Sequence, residues 1–213
     1  MEMEIYLIRH GKTVGNREGR YIGSTDEPLS SDGRRELSEE LWRGGYEGAG
    51  LHGPQAVYVS GLSRTKETAR LLFPGRSLLV REGLNECGFG EFENHTYEEL
   101  KENPAYEQWI ESGGVSAPPR GEAKADFAAR TIRAFEEAIL EQLSQKQEPF
   151  CQERVVAFVV HGGSIMALLE HYSLSGQGFY HWQVKNGCGY GACLSEERWL
   201  AGEQNLTKIR SIP

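Results

Sequence analysis

Val155-Val156-Ala157-Phe158-Val159-Val160 is the most hydrophobic run in the chain, and it stops at His161-Gly162-Gly163. Six successive apolar residues leave no polar face, so a strand formed here is covered on both sides. Strands of that kind belong to parallel sheets wrapped by helices. The same form occurs near the start, where Ile5-Tyr6-Leu7-Ile8 runs into Arg9-His10-Gly11. Ligands of open α/β sheets bind just outside the carboxyl ends of the strands. Two buried strands that each end in histidine and glycine therefore constrain the fold and point to one chemically equipped edge.

The remaining pattern fills in that sheet. Ala56-Val57-Tyr58-Val59 predicts a second strand ending at Ser60-Gly61, and Ser77 to Val80 a third. Helices are expected from Asp32, with Ser31 as N-cap and Gly44-Gly45 as the stop; from Leu62 to Phe73; from Tyr97 to Ile110; and from Glu122 to Gln145. In the last of these, Ala128, Ile132, Phe135, Ile139 and Leu143 form the stripe of a helix packed on a sheet, with its charged residues facing water. Another helix follows Ser164, and the stretch from Trp182 to Thr207 is expected to supply edge strands. Arg17 to Ser31 is a long connection without periodicity, of the kind that carries function. Gly113 to Gly121, with Pro118-Pro119, reads as a linker or flap. The expected fold is α/β: three layers, a mostly parallel central sheet with helices on both faces, and an inserted helical lid. Residues 1–213 read as one domain, with the lid insertion at about 94–121.

Bulk properties exclude several function classes. The formal net charge is −8, which argues against a nucleic-acid or anionic-membrane partner. The four cysteines, Cys87, Cys151, Cys188 and Cys193, show no C-x-x-C spacing, so free thiols in a reducing compartment are expected. Met1-Glu2-Met3-Glu4 does not read as a signal peptide, and no apolar stretch is long enough to span a membrane. The expected location is the cytoplasm. The oligomeric state, a homodimer included, stays open.

Arginine offers a rigid fork of donors that fits phosphate oxygens, and a neutral imidazole is a competent nucleophile near neutral pH. Arg9, His10, Arg64 and His161 all follow predicted strands, Arg64 in the first turn of a helix, where a cation is disfavoured unless an anion sits beside it. Strands of a parallel sheet share a carboxyl edge, so these four converge. Backbone N–H groups at the helix start after His161 add anion donors. Four such groups need an anion between them, and a phosphoryl group meets that need. No carboxylate cluster with metal-ligand spacing accompanies them. His171 and His181 have no such spacing with His161 and read as structural or surface residues. His161-Gly162-Gly163 lacks the nucleophile elbow of a lipase, and Gly187-x-Gly189-x-x-Ala192 lies too near the end of the sequence to open a dinucleotide fold.

Arg9-His10-Gly11-x-Thr13-x-x-Asn16, Ser60-x-Leu62-x-Arg64-Thr65, Leu84-Asn85-Glu86 with Phe89-Gly90-x-Phe92-Glu93, and Val160-His161-Gly162-Gly163 stand in this order over most of the chain. Together they resemble the histidine phosphatase (phosphoglycerate-mutase-like) superfamily. The resemblance implies that His10 becomes a phosphohistidine and that Arg9, Arg64, Asn16 and His161 hold the phosphoryl oxygens. It implies that Glu86 is the acid, with Glu91 and Glu93 close enough in sequence to compete for that role. Gly23 and Gly162 are expected beside the substrate, a small phosphorylated metabolite, with neither cofactor nor metal. Phe89-Gly90-Glu91-Phe92-Glu93 is similar to the phosphatase type within the superfamily, and Tyr21-x-Gly23-x-Thr25-Asp26-x-Pro28-Leu29 resembles the α-ribazole phosphatase branch. A phosphoglycerate mutase and an inactive phosphate-binding module are the alternatives. Asn94, where the family often has glycine, and Pro119-Arg120-Gly121-Glu122-Ala123, where many members read P-G-G-E-S, depart from the family pattern around the presumed lid. Arg120 reads as exposed, with an anionic substrate as its other reading.

Overall fold

A computed structural model describes residues 1–42, 44, 53–145 and 154–213. Six strands form one sheet: β1 (Glu2–Arg9), β2 (Ala56–Val59), β3 (Leu78–Val80), β4 (Arg154–Val160), β5 (Gly189–Ser195) and β6 (Thr207–Ile212). Their order is β3-β2-β4-β1-β5-β6. The β1–β4, β2–β4 and β2–β3 pairs are parallel, and β5 and β6 add antiparallel strands beyond β1. The apolar run predicted as a central strand is β4, buried along its whole length between β1 and β2. Of the C-terminal strands only β6 is an edge; β5 is interior, and β6 runs past the Thr207 limit read from the sequence.

Helices cover both faces because β1 is buried on both. Met3, Ile5 and Leu7 pack with Phe135 and Ala138 of α6 (Lys124–Ser144) and Leu168 of α7 (Gly162–Tyr172). Tyr6 and Ile8, on the other face, pack with Leu37 of α2 (Ser31–Trp42) and Ala69 and Leu72 of α3 (Ser63–Leu72). Alternate residues of one strand thus feed two separate cores, the geometry of a three-layer fold. A one-turn helix, α1 (Val14–Arg17), opens the long connection, closed by a capping box between Thr13 and Asn16. A short helix, α8 (Glu196–Leu200), links β5 to β6.

Several boundaries differ from expectation, each for a local reason. The helix expected over 97–110 is two, α4 (Tyr97–Leu100) and α5 (Pro104–Glu111), because Pro104 takes the first-turn position and Asn103 caps it. The cap of α2 is Ser30, whose Oγ accepts the Gly33 N–H at 3.0 Å, and the helix begins at Ser31. Gly44 has φ +68 after α2, as a stop requires, and Gly45 lies outside the described residues. The buried face of α6 is centred on Phe127, Thr131, Ala134, Phe135, Ala138 and Ile139; Ala128, Ile132 and Leu143 flank it, half-buried. Asn94 and Arg120 both have positive φ, 63 and 58. Asparagine tolerates that region, and glycine occupies it without cost.

Cys87, Cys188 and Cys193 carry no disulfide among the described residues, and Cys151 lies outside them. No described helix is long and apolar enough to cross a membrane.

Candidate active site

Strand register brings the two histidines together. Arg9 pairs with Val160, and the His10 N–H donates to the Val160 carbonyl at 3.0 Å. The His10 and His161 rings meet edge-on, 5.2 Å between centroids. Both are buried, and so is Arg64, with no exposed surface at all. Arg64 enters from the first turn of α3, where Nη1 donates to the Thr25 carbonyl and Nη2 to the Gly23 carbonyl, each at 2.7 Å. Arg9 Nη1 donates to the Val184 carbonyl at 2.8 Å. Both guanidiniums are thus anchored by carbonyls, not by carboxylates. Arg9 Nε, Arg64 Nε and His161 Nδ1 are buried without a partner among the described residues. Buried cations with spare donors are costly unless an anion joins them. The structure places Arg9, His10, Arg64 and His161 close together at the carboxyl edge of the sheet.

Electrostatics divides the labour. Burial, then the charges of Arg64 and Arg9, push the His10 imidazole well below its ordinary range, against the pull of the Gly11 carbonyl. His10 is therefore neutral at pH 7. Its Nδ1 lies 2.7 Å from that carbonyl, which only accepts, so Nδ1 carries the hydrogen and Nε2 the lone pair. His161 is pushed down in the same way, first by burial and then by Arg64, His10, Arg9 and Arg130. Glu86 goes the other way. Burial raises its carboxyl above the ordinary range, although the Cys87 and Gly163 N–H groups, at 3.0 and 3.1 Å, and both arginines oppose the rise. A neutral base beside a carboxyl that tends to hold its proton is the pairing expected of acid–base work. Burial pushes the neighbouring Cys87 thiol up to about 12, which removes it as a rival nucleophile.

The three nearby glutamates differ in setting. Glu91 is exposed and paired with Arg120, 3.3 Å away. Arg120 is itself 85 % exposed. Glu93 is tied down: its oxygens accept the N–H groups of Gly23, Ser24, Thr25 and Phe89 at 2.8–3.3 Å, and the Thr25 hydroxyl at 2.7 Å. Burial raises this carboxyl, but the bonds from Phe89, Thr25, Gly23 and Ser24 prevail and hold it below the usual range. A lowered carboxylate contributes stability above its unfolded pKa of about 4.3 and loses it as the pH falls through the folded value. Glu93→Gln is expected to cost about 1–3 kcal/mol at pH 7, the range for stranding charge-assisted bonds. Urea unfolding checks it: the gap to wild type should narrow as the pH falls from about 4.3 through the lower folded value, where native wild type itself becomes protonated.

The site opens into a cleft of about 1120 Å³ whose lining includes Arg9, Asn16, Glu86 and Gly162. Its far walls are largely aromatic: Tyr21, Phe89, Trp109, Phe127, Phe179 and Tyr180. The segment expected as a lid supplies one wall, where Trp109 packs on Tyr21, Phe89 and Phe92. Its end is tied down, with the Glu91 N–H on the Pro119 carbonyl and the Glu122 N–H on the Gly88 carbonyl. Among the described residues no group of three His, Cys, Asp or Glu side chains is placed to hold a metal ion.

The sequence model of the histidine phosphatase superfamily (branch 1) matches residues 5–207. The chain belongs to this superfamily. It is 30% identical over 193 residues to an adenosylcobalamin/alpha-ribazole phosphatase of Escherichia coli (strain K12), covering 87% of each chain. It is also 30% identical over 177 residues to a 2,3-bisphosphoglycerate-dependent phosphoglycerate mutase 2 of Gloeobacter violaceus, covering 78% of this chain and 73% of that one. Among solved structures, the alpha-ribazole phosphatase from Shigella flexneri superposes with a TM-score of 0.78 at 25% identity, over 99% of this chain and 96% of that one.

The expected histidine phosphatase residues gather with a few changes of part. Asn16 Oδ1 is occupied by the Thr13 N–H and Asn186 Nδ2, which leaves its own amide hydrogens for the cleft. A Cβ on Gly162 would stand 3.4 Å from Arg9 Cζ, so the bare backbone lets the guanidinium lie close. Gly23 does not offer its N–H, which Glu93 holds at 3.1 Å. Its carbonyl anchors Arg64, and a Cβ there would fall 1.9 Å from the Cys87 carbonyl. Gly23→Ala is therefore expected to displace the Arg64 anchor and cut kcat/KM about 100-fold. Steady-state kinetics on an aryl phosphate checks it.

Other supporting residues carried no sequence signal. Asn186 Nδ2 donates to the His10 carbonyl at 3.1 Å, and Thr68 Oγ1 accepts the Gly11 N–H at 2.9 Å. Arg130, expected on the wet face of its helix, instead binds the carbonyls of Gly83, Asn85 and Glu86 and pairs with Glu122. It holds the loop that delivers Glu86.

Proposed function

We propose that this chain is a metal-independent phosphomonoester hydrolase acting through a phosphohistidine on His10. The observation that carries the reading is the pair of carbonyl-anchored arginines with spare donors, Arg64 fully buried and Arg9 half-buried, beside a neutral histidine whose Nε2 bears a lone pair. Arg9 and Arg64 hold the phosphoryl oxygens and offset the charge that develops on them, work that Mg²⁺ does in other phosphoryl transferases. His10 Nε2 attacks phosphorus, an N–P bond forms, and the bond from phosphorus to the ester oxygen breaks. Glu86 gives its proton to that leaving oxygen. The Glu86 carboxylate then takes a proton from water, which attacks phosphorus and frees His10. The covalent stage splits one hard displacement into two easier ones.

The substrate we favour is α-ribazole 5′-phosphate. The similarity to the alpha-ribazole phosphatases of Escherichia coli and Shigella flexneri supports it, and so does an aromatic cleft beyond Glu86 suited to a planar, apolar body. The mutase reading keeps support from the Gloeobacter violaceus relative. One experiment separates them: assay α-ribazole 5′-phosphate and 3-phosphoglycerate in excess chelator. Free phosphate from the first, with no 2-phosphoglycerate from the second, is the expected result. Formation of 2-phosphoglycerate would make the chain a mutase. Loss of all turnover on chelation would remove the metal-independent mechanism.

A further inference from the structure

His161 has one nitrogen in a hydrogen bond and one without. Nε2 lies 2.9 Å from Ser60 Oγ, at the end of β2. Nδ1 is buried with no partner among the described residues. The direction of the Nε2 bond follows from counting hydrogens. Thr65 Oγ1 lies 2.8 Å from the Leu62 carbonyl, which only accepts, so the Thr65 hydroxyl spends its single hydrogen there. The Ser60 and Thr65 hydroxyls are 3.0 Å apart. With the Thr65 hydrogen committed, Ser60 is the donor of that pair. The Leu62 N–H also points at Ser60 Oγ, at 3.2 Å. Ser60 has no second hydrogen to offer His161, so Nε2 must carry the hydrogen and donate. Nδ1 of the neutral ring is then bare.

We propose that Ser60, oriented by Thr65, is a positioning residue that locks His161 as the Nε2–H tautomer, so that its free nitrogen receives a proton from the bound phosphoryl group. The two facing histidines then hold opposite tautomers: His10 is protonated on Nδ1 and His161 on Nε2. A bare Nδ1 repels a fully ionised phosphoryl oxygen and accepts from a protonated one. The site therefore takes the monoanion, and the phosphoryl O–H proton moves toward Nδ1 as an imidazolium–dianion pair forms. Arg64 from α3, Arg9 from β1 with His10 just after it, and Arg130 from α6 are the charged and titratable groups that act on His161. All disfavour an imidazolium until an anion arrives, and the proton is thus gained together with the phosphoryl group. The second half of the proposal rests on the phosphatase reading; the tautomer does not.

Long-range ¹⁵N–¹H imidazole NMR of the wild-type protein at pH 7 tests the lock without any turnover. The expected result is His161 protonated on Nε2 and bare on Nδ1, with His10 the reverse. His161 protonated on Nδ1 would overturn the proposal even if the protein proves an active phosphatase. An inactive protein with the expected tautomers would uphold the lock and sink only the phosphatase reading. Thr65→Val frees the Ser60 hydrogen, and the His161 tautomer is expected to shift toward Nδ1–H; Thr65→Ser is expected to restore the wild-type pattern. Ser60→Ala should lower kcat/KM by about 10–100-fold, the range seen when the outer partner of a functional histidine is removed. The proton step is read from inhibition by inorganic phosphate across its second ionisation. Measuring it in a Glu86→Gln background silences the carboxylate. Tighter inhibition on the acid side, lost in Ser60→Ala, is expected; equal or tighter inhibition by the dianion would overturn it.

Discussion

His10→Ala is expected to lower kcat on a generic aryl phosphate by about 10⁴-fold or more, with the fold retained. The size follows from what the side chain does. His10 Nε2 bears a lone pair beside the charges of Arg64 and Arg9, and the other bare imidazole nitrogen, His161 Nδ1, is the one proposed above to take the phosphoryl proton. His161, 5.2 Å away, has its Nε2 committed to Ser60. Water cannot replace the nucleophile, because the covalent stage is what breaks the displacement into two steps. The fold should survive, since the nearby backbone is held by other bonds: the His10 N–H on Val160, and Asn186 on the His10 carbonyl. Near-normal turnover by His10→Ala, with unchanged thermal unfolding, would end the mechanism.

Glu86→Gln has the second-largest expected effect, and its signature is selectivity. An alkyl phosphate should lose about 10²–10⁴-fold in kcat/KM, the usual contribution of a positioned general acid. An aryl phosphate with a good leaving group needs little protonation and should lose far less. The pH profile carries the same information. Glu86 is raised by burial, so it serves as acid up to a higher pH than an ordinary carboxyl, and activity on the alkyl ester falls on the alkaline side as it ionises. His10 is lowered by burial and by Arg64 and Arg9, so turnover should persist below pH 6.5, where an ordinary histidine would be protonated. Equal losses on both esters would assign the proton to another group. Glu93 is a poor candidate for it, since hydrogen bonds hold its carboxyl in the charged form.

How much of this was legible in the chain depends on how local the cause is. Strand ends are local: Ile5–Arg9 and Val155–Val160 announce themselves by apolar runs, and register alone then sets His10 beside His161. Arg64 was legible because a cation in the first turn of a helix asks for an anion. Pro104 was legible in principle, since a proline preceded by asparagine starts a helix and does not sit inside one. The contacts of the supporting residues were hidden because their partners are distant in sequence. Glu93 binds Gly23 across 70 positions, Asn186 reaches His10 across 176, and Ser60 meets His161 across 101. Nothing in the local pattern of an isolated glutamate, asparagine or serine encodes such a contact. Arg130 was misread for the same reason, because a charged residue on an amphipathic helix reads as solvated unless the loop carbonyls it binds are known.

Rapid acid-free quenching of the enzyme with ³²P-labelled substrate, followed by peptide mapping, tests the phosphohistidine most directly. An acid-labile, base-stable label that appears before free phosphate and maps to the peptide carrying His10 is expected. The label should be absent from His10→Ala and persist longer in Glu86→Gln, where water is no longer activated. Turnover without any protein-bound label, or a label on His161, would contradict it.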